Sequence, residues 1–125
     1  MRSVEPVRLI GYWANAAHPE YPNPAALVDD NWDRAERDDV WWYLTSGTRT
    51  LAAHMGPSRC RICDADCGAG EFTDGTYAWP EGLAHYVRAH NVRLPGEFVR
   101  HALARHREVA HREMDLSWWL ERTRE

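Results

Sequence analysis

Apolar positions along this chain recur at two different periods, and the changes of period divide it into elements. Val7 to Trp13 alternates weakly, with Val7 and Leu9 on one side and Ile10 and Tyr12 on the other, which predicts a short strand. His18 to Pro24 holds three prolines and Asn23, a loop of extended character that Trp13 and Tyr21 tie to the core. From Asp29 to Gly47 the period becomes helical: Val40, Trp41 and Leu44 share a stripe, with Arg37 one turn earlier. Asp33 with Glu36 makes a capping box, Asp30 and Asn31 being alternative caps. Ser46-Gly47 supplies a left-handed stop. The acidic run of Asp29, Asp30, Asp33 and Glu36 lies where the helix dipole favours it, so capping explains it better than a carboxylate metal site does.

Thr48 to Met55 reads as a strand that runs into the Gly56-Pro57 turn. Glu71-Phe72-Thr73 and Thr76 to Trp79 flank Asp74-Gly75, the strongest hairpin signal in the chain. Pro80 suits the first position of a helix with Glu81 in its first turn. Leu83, Tyr86, Val87 and His90 then share a face, and Asn91 caps the end. After the break at Leu94-Pro95-Gly96, a long helix is predicted over Gly96 to Glu113. Its expected buried face is Phe98, Val99, Ala102, Leu103, His106, Val109 and Ala110, with Arg100, Arg105, Arg107 and Arg112 outside. Asp115 or Ser117 caps a last short helix with Trp118, Trp119 and Leu120. The predicted fold is α+β: a small antiparallel hairpin or sheet with a zinc knuckle, packed against three to four helices in a single domain over residues 1–125.

The chemistry concentrates between Cys60 and Pro95. Two cysteines two residues apart are followed, after an interval of 21 residues, by two histidines separated by four. Two residues between cysteines let both sulfurs face into one knuckle turn, and this histidine spacing brings both imidazoles near one helical end. Residues five apart on an ideal helix lie about 140° around it, so His90 is expected where the helix tightens or frays. The interval exceeds the roughly 12–15 residues of a simple DNA-reading finger; the Asp64–Gly70 loop and the hairpin account for the excess. Cys60, Cys63, His85 and His90 are therefore the candidate ligands of one Zn2+ ion, in a knuckle, hairpin and helix core at 56–95. Cys67 stands as an alternative third sulfur. The plainer reading is that the thiols are buried and the imidazoles hydrogen-bonded. A closed set of four makes the metal structural; a catalytic zinc needs one ligand fewer and a water in its place.

Composition narrows the function classes. A chain of 125 residues with 44% hydrophobic and 27% charged positions is long and apolar enough for one globular core. The net charge of −4 and pI near 6.0 argue against a general nucleic-acid binder. All 15 basic residues are arginine. No apolar run approaches the ~20 residues of a membrane helix, and the N-terminal stretch lacks a signal-peptide pattern. The expected location is thus the cytoplasm, where three cysteines read as ligands or free thiols before disulfides.

A longer string carries a resemblance. It includes Gly11-Tyr12-Trp13, Trp32-Asp33, Met55-Gly56, Cys60-Arg61-Ile62-Cys63 and Thr73-Asp74-Gly75, then Trp79-Pro80-Glu81-Gly82-Leu83, His85-Tyr86, His90 and Val92-Arg93-Leu94-Pro95. This resembles a family of small, uncharacterised bacterial proteins common in actinobacteria, over about residues 9 to 120. The Trp79–Pro95 block is its most specific part. The resemblance implies a shared fold and zinc knuckle and no particular activity. A cysteine at position 67 is not part of that pattern, which counts against Cys67 as a ligand and favours a free thiol.

Other candidates are weaker. His54 precedes the knuckle; His101, His106 and His111 spread around the long helix in poor ligand geometry. Phosphate loop, Gly-x-Ser-x-Gly, His-Glu-x-x-His and dinucleotide motifs are all missing. Cys67 beside His85 or His90 makes only a weak nucleophile and base pair. The leading expectation is a zinc-stabilised domain that binds a protein partner or a second copy through an aromatic surface. The seven tryptophans support this, since Trp42 faces away from its helix's apolar stripe and Trp118 and Trp119 cannot face one direction. The rival is a small zinc enzyme with an open coordination position and Asp74, Glu81 and His54 nearby. Nucleic-acid binding through the arginines of the long helix ranks third.

Overall fold

The computed structural model describes residues 5–50 and 57–124. Among the described residues nine elements follow one another: β1 (Arg8–Leu9), a 3-10 turn (Pro24–Leu27), α1 (Arg34–Thr45), β2 (Thr48–Arg49), β3 (Glu71–Thr73), β4 (Tyr77–Pro80), α2 (Leu83–His90), α3 (Gly96–Ala110) and α4 (Ser117–Thr123). The class is α+β. The strands form one sheet in the order β1-β4-β3-β2. The hairpin β3–β4 is antiparallel, with Phe72 opposite Trp79, but β1 joins β4 in parallel, Arg8 opposite Tyr77. The sheet is therefore mixed where an antiparallel one was expected. Alternation marks a strand but carries no sign of its direction.

The first helix begins at Arg34, where the Asp33 carboxylate accepts the Glu36 N–H at 2.9 Å. Asp29, expected to open that helix, lies outside it: Leu27 to Asp29 pair with Asn91 to Arg93, Asp29 N–H donating to the Asn91 carbonyl and Arg93 N–H to the Leu27 carbonyl, both at 2.9 Å. Pro80 ends β4 opposite Glu71, and α2 starts only at Leu83. A proline fits there because β1 reaches no further than Ala78 along that edge, so no ladder donor is missed. The Thr48–Met55 strand is seen as Thr48–Arg49; positions 51–56, and with them His54, lie outside the described residues.

The core sits between the sheet and α1, α2 and α3. Trp79 is its centre: its indole N–H donates to the Leu44 carbonyl at 3.0 Å, and Phe98 meets its ring edge-on at 5.9 Å. Val40, Leu44, Leu83, Val87 and Val92 close around it. The α3 stripe is buried at Phe98, Val99 and Ala102 but runs out beyond His106, and Val109 and Ala110 are exposed. That part of the expected buried face has no sheet beneath it. Among the described residues no helix is long and apolar enough to cross a membrane.

Candidate metal centre

Backbone pairing builds the knuckle before any metal is considered. Ser58 and Gly68 start a short loop closed by Ser58 N–H to the Gly68 carbonyl and Cys67 N–H to the Ser58 carbonyl, both 2.9 Å. Further in, Cys60 N–H donates to the Ala65 carbonyl and Asp64 N–H to the Cys60 carbonyl, each at 2.8 Å. Asp64 takes a left-handed conformation with φ 61° to complete the turn; aspartate tolerates this better than most residues. The Ile62 N–H points at the Cys60 sulfur from 3.4 Å. Tyr86 on α2 then fastens the loop, its hydroxyl oxygen accepting the Arg61 N–H at 2.9 Å.

The helix supplies the other half. His85 stands in the first turn of α2 and His90 is its last residue, followed by the left-handed Asn91 at φ 53°. This is the frayed end that a five-residue step requires, and the two imidazoles end 5.1 Å apart, nearly perpendicular. Gly82, just before the helix, admits the knuckle closely: a Cβ there would stand 2.4 Å from that of Cys67 and 3.0 Å from the Cys67 carbonyl oxygen.

The donor atoms of Cys60, Cys63, His85 and His90 all lie within 4.8 Å of one another, and Cys63 Sγ is 3.3 Å from His85 Nε2. A tetrahedron with bonds of 2.0–2.3 Å has edges of ~3.3–3.8 Å, so the longest separation exceeds an edge by about 1 Å. The buried Nε2 of His90 has no hydrogen-bond partner, an arrangement that burial penalises unless something binds that nitrogen. The four residues thus form a group able to hold a metal ion, and they fit the chemistry of one.

The electrostatics agree. Burial pushes the Cys60 thiol up, but N–H groups of Cys63 and Ile62 more than offset this and hold it below its ordinary value. Burial, and then the neighbouring His85, lower the His90 imidazole, keeping it in the neutral form that ligates. Cys67 differs. Burial, followed by the nearby Cys60 and Cys63, pushes its thiol up to about 11, and its sulfur is not in the group.

Of the rival's extra residues, Asp74 and Glu81 are outside the group of four donors. Glu81 pairs with Arg49 at 2.8 Å. Asp74 stands at the hairpin turn with its side chain only 7% exposed, and one carboxylate oxygen accepts from the Tyr43 hydroxyl at 2.5 Å and from His101 Nε2 at 2.8 Å. Its other oxygen accepts the Thr76 and Tyr77 N–H groups. The sequence announces that second pair, a common property of Asp in turns. Nothing in it signals the first, because Tyr43 and His101 come from distant helices. Beside the knuckle, a cleft of about 840 Å3 is lined by Tyr12, Trp13, Tyr21 and Tyr86 with Arg59 and Arg61. Trp42, Trp118 and Trp119 are all exposed.

The chain is thus an α+β domain built around a Cys2His2 group able to hold a metal. No protein-family model, curated protein or solved structure matches it.

Proposed function

We propose that this protein is a zinc-stabilised interaction domain. Cys60, Cys63, His85 and His90 hold one Zn2+, which ties the knuckle to α2, and the domain acts by binding a protein partner through aromatic surface. The observation that carries the reading is the convergence of donors from four residues, one of which, His90, also has a buried Nε2 without a hydrogen-bond partner. Two thiolates and two imidazoles suit zinc among the common divalent metals. Four protein donors fill a tetrahedral shell, which favours a structural ion over the zinc-enzyme alternative. Three unpaired thiols suit a reducing compartment such as the cytoplasm. Kinship with the bacterial family that the Trp79–Pro95 block resembles belongs to the same proposal, since that block contains both histidine ligands.

The aromatic cleft beside the knuckle supports the binding half of the reading: it falls in the usual size range of binding sites and mixes rings with a few polar groups. Cobalt substitution tests the closed site. A shell of four protein donors gives a tetrahedral cobalt spectrum that added cyanide or azide leaves unchanged. A spectrum that shifts with those anions reveals an open position and favours the enzyme.

A further inference from the structure

The stretch from Val109 to Leu120 carries six large apolar side chains that the described chain leaves uncovered. Val109, Met114, Leu116, Trp118, Trp119 and Leu120 are each more than half exposed, Met114 at 95%. No residue of α4 is buried. Its seven residues are too few to persist as a free helix in water, and consecutive apolar positions 118 to 120 span about 200° of its circumference. Such a helix needs cover on more than one side.

The charges say what the cover is. Glu113 and Asp115 precede the tryptophans, and Arg122 and Arg124 follow them. An antiparallel copy of α4 and its lead-in turns the acidic approach of one chain, Glu113 and Asp115, toward the basic end of the other, Arg122 and Arg124, twice over. A patch complementary to itself in this way is what a two-fold interface requires. With roughly 150–250 Å2 for a whole large side chain, the six offer on the order of 800 Å2, about what each partner contributes to a standard interface. A lipid surface fits less well, since Glu113, Asp115 and Glu121 offset the arginines and leave no basic excess.

We propose that the end of α3 and α4 pair with the same stretch of a second copy in an antiparallel, two-fold seam with the four tryptophans at its centre. The inference rests on the reading of the chain as an interaction domain and names a second copy as its partner.

Sedimentation of the full, metal-loaded chain tests it. The wild type is expected to be dimeric at micromolar concentration, and the Trp119→Ala, Leu120→Asp double variant to dissociate at least 100-fold more readily with its metal content unchanged. Charge exchange gives a second arm that spares the apolar core. Glu113→Arg and Arg124→Glu chains each dimerise at least tenfold more weakly alone and recover when mixed, because only the mixed pair restores every opposition. A monomeric wild type, a dimer indifferent to both changes, or a monomer that instead partitions onto anionic lipid vesicles overturns the proposal. A monomer that still holds one zinc removes the second copy but leaves the zinc-stabilised domain standing; a dimer that holds no zinc keeps the second copy and removes the zinc.

Discussion

The Sγ of Cys63 lies 3.3 Å from the Nε2 of His85, although 22 positions separate them in sequence. The hairpin fills that interval and returns the chain so that α2 passes over the knuckle. The Arg61–Tyr86 hydrogen bond fixes the approach at 2.9 Å. Two parts of the chain with their own local order are thereby brought together at a point where neither supplies enough donors alone.

Ligand variants follow from that geometry. Cys63→Ser and His85→Ala are expected to lose the metal and to destabilise the domain strongly, since structural zinc contributes roughly 10 kcal/mol or more in small zinc peptides. With a separate core around Trp79, part of this loss appears as local unfolding of 57–70 in hydrogen exchange. Cys67→Ser is expected to keep the metal at a cost of about 1–2 kcal/mol for a buried hydroxyl. Metal loss in Cys67→Ser together with retention in His90→Ala would show that the fourth ligand is misassigned.

Asp74 sets part of the acid limit. Burial alone raises its carboxyl, but the Tyr43 hydroxyl, the Tyr77 and Thr76 N–H groups and His101 more than offset it and leave it below the ordinary value. A carboxylate depressed in the folded state stabilises above its unfolded pKa, near 4, and that contribution is lost as pH falls through the folded value. Asp74→Asn should therefore be about 2 kcal/mol less stable at neutral pH and lose stability less steeply below pH ~4. Urea titrations across this range measure it; parallel pH profiles for both proteins contradict the assignment.

Gly82→Ala is expected to strain the junction of knuckle and helix. The added Cβ meets the Cys67 Cβ and its carbonyl oxygen, and backbone cannot swing aside as a side-chain tip can. We expect a loss of about 2–3 kcal/mol and weaker metal retention against a chelator. By contrast Gly75→Ala meets nothing within 4 Å and is expected to cost about 1 kcal/mol, for its positive φ alone. Equal melting temperatures for the two variants would refute this account.

How much of this was legible in the sequence depends on how local each cause is. The hairpin at Asp74-Gly75, the Asp33 cap and the Asn91 stop come from short-range chemistry, and all three are where the residues place them. The Cys60, Cys63, His85 and His90 group was readable because its spacings match those that metal chelation demands. The parallel docking of β1, the pairing of Val28 with Val92 and the Tyr43–Asp74–His101 contacts were not, since each depends on partners far away in sequence. The expected burial of Val109 failed for a related reason. Period identifies an apolar face but says nothing about whether this chain or another covers it.

The most direct test of the central claim is the metal content of the chain purified without added metal, by elemental analysis alongside native mass. The account predicts one zinc per chain, removed by a strong chelator with a fall in melting temperature that added zinc reverses. A metal-free protein whose melting temperature is indifferent to zinc would contradict it.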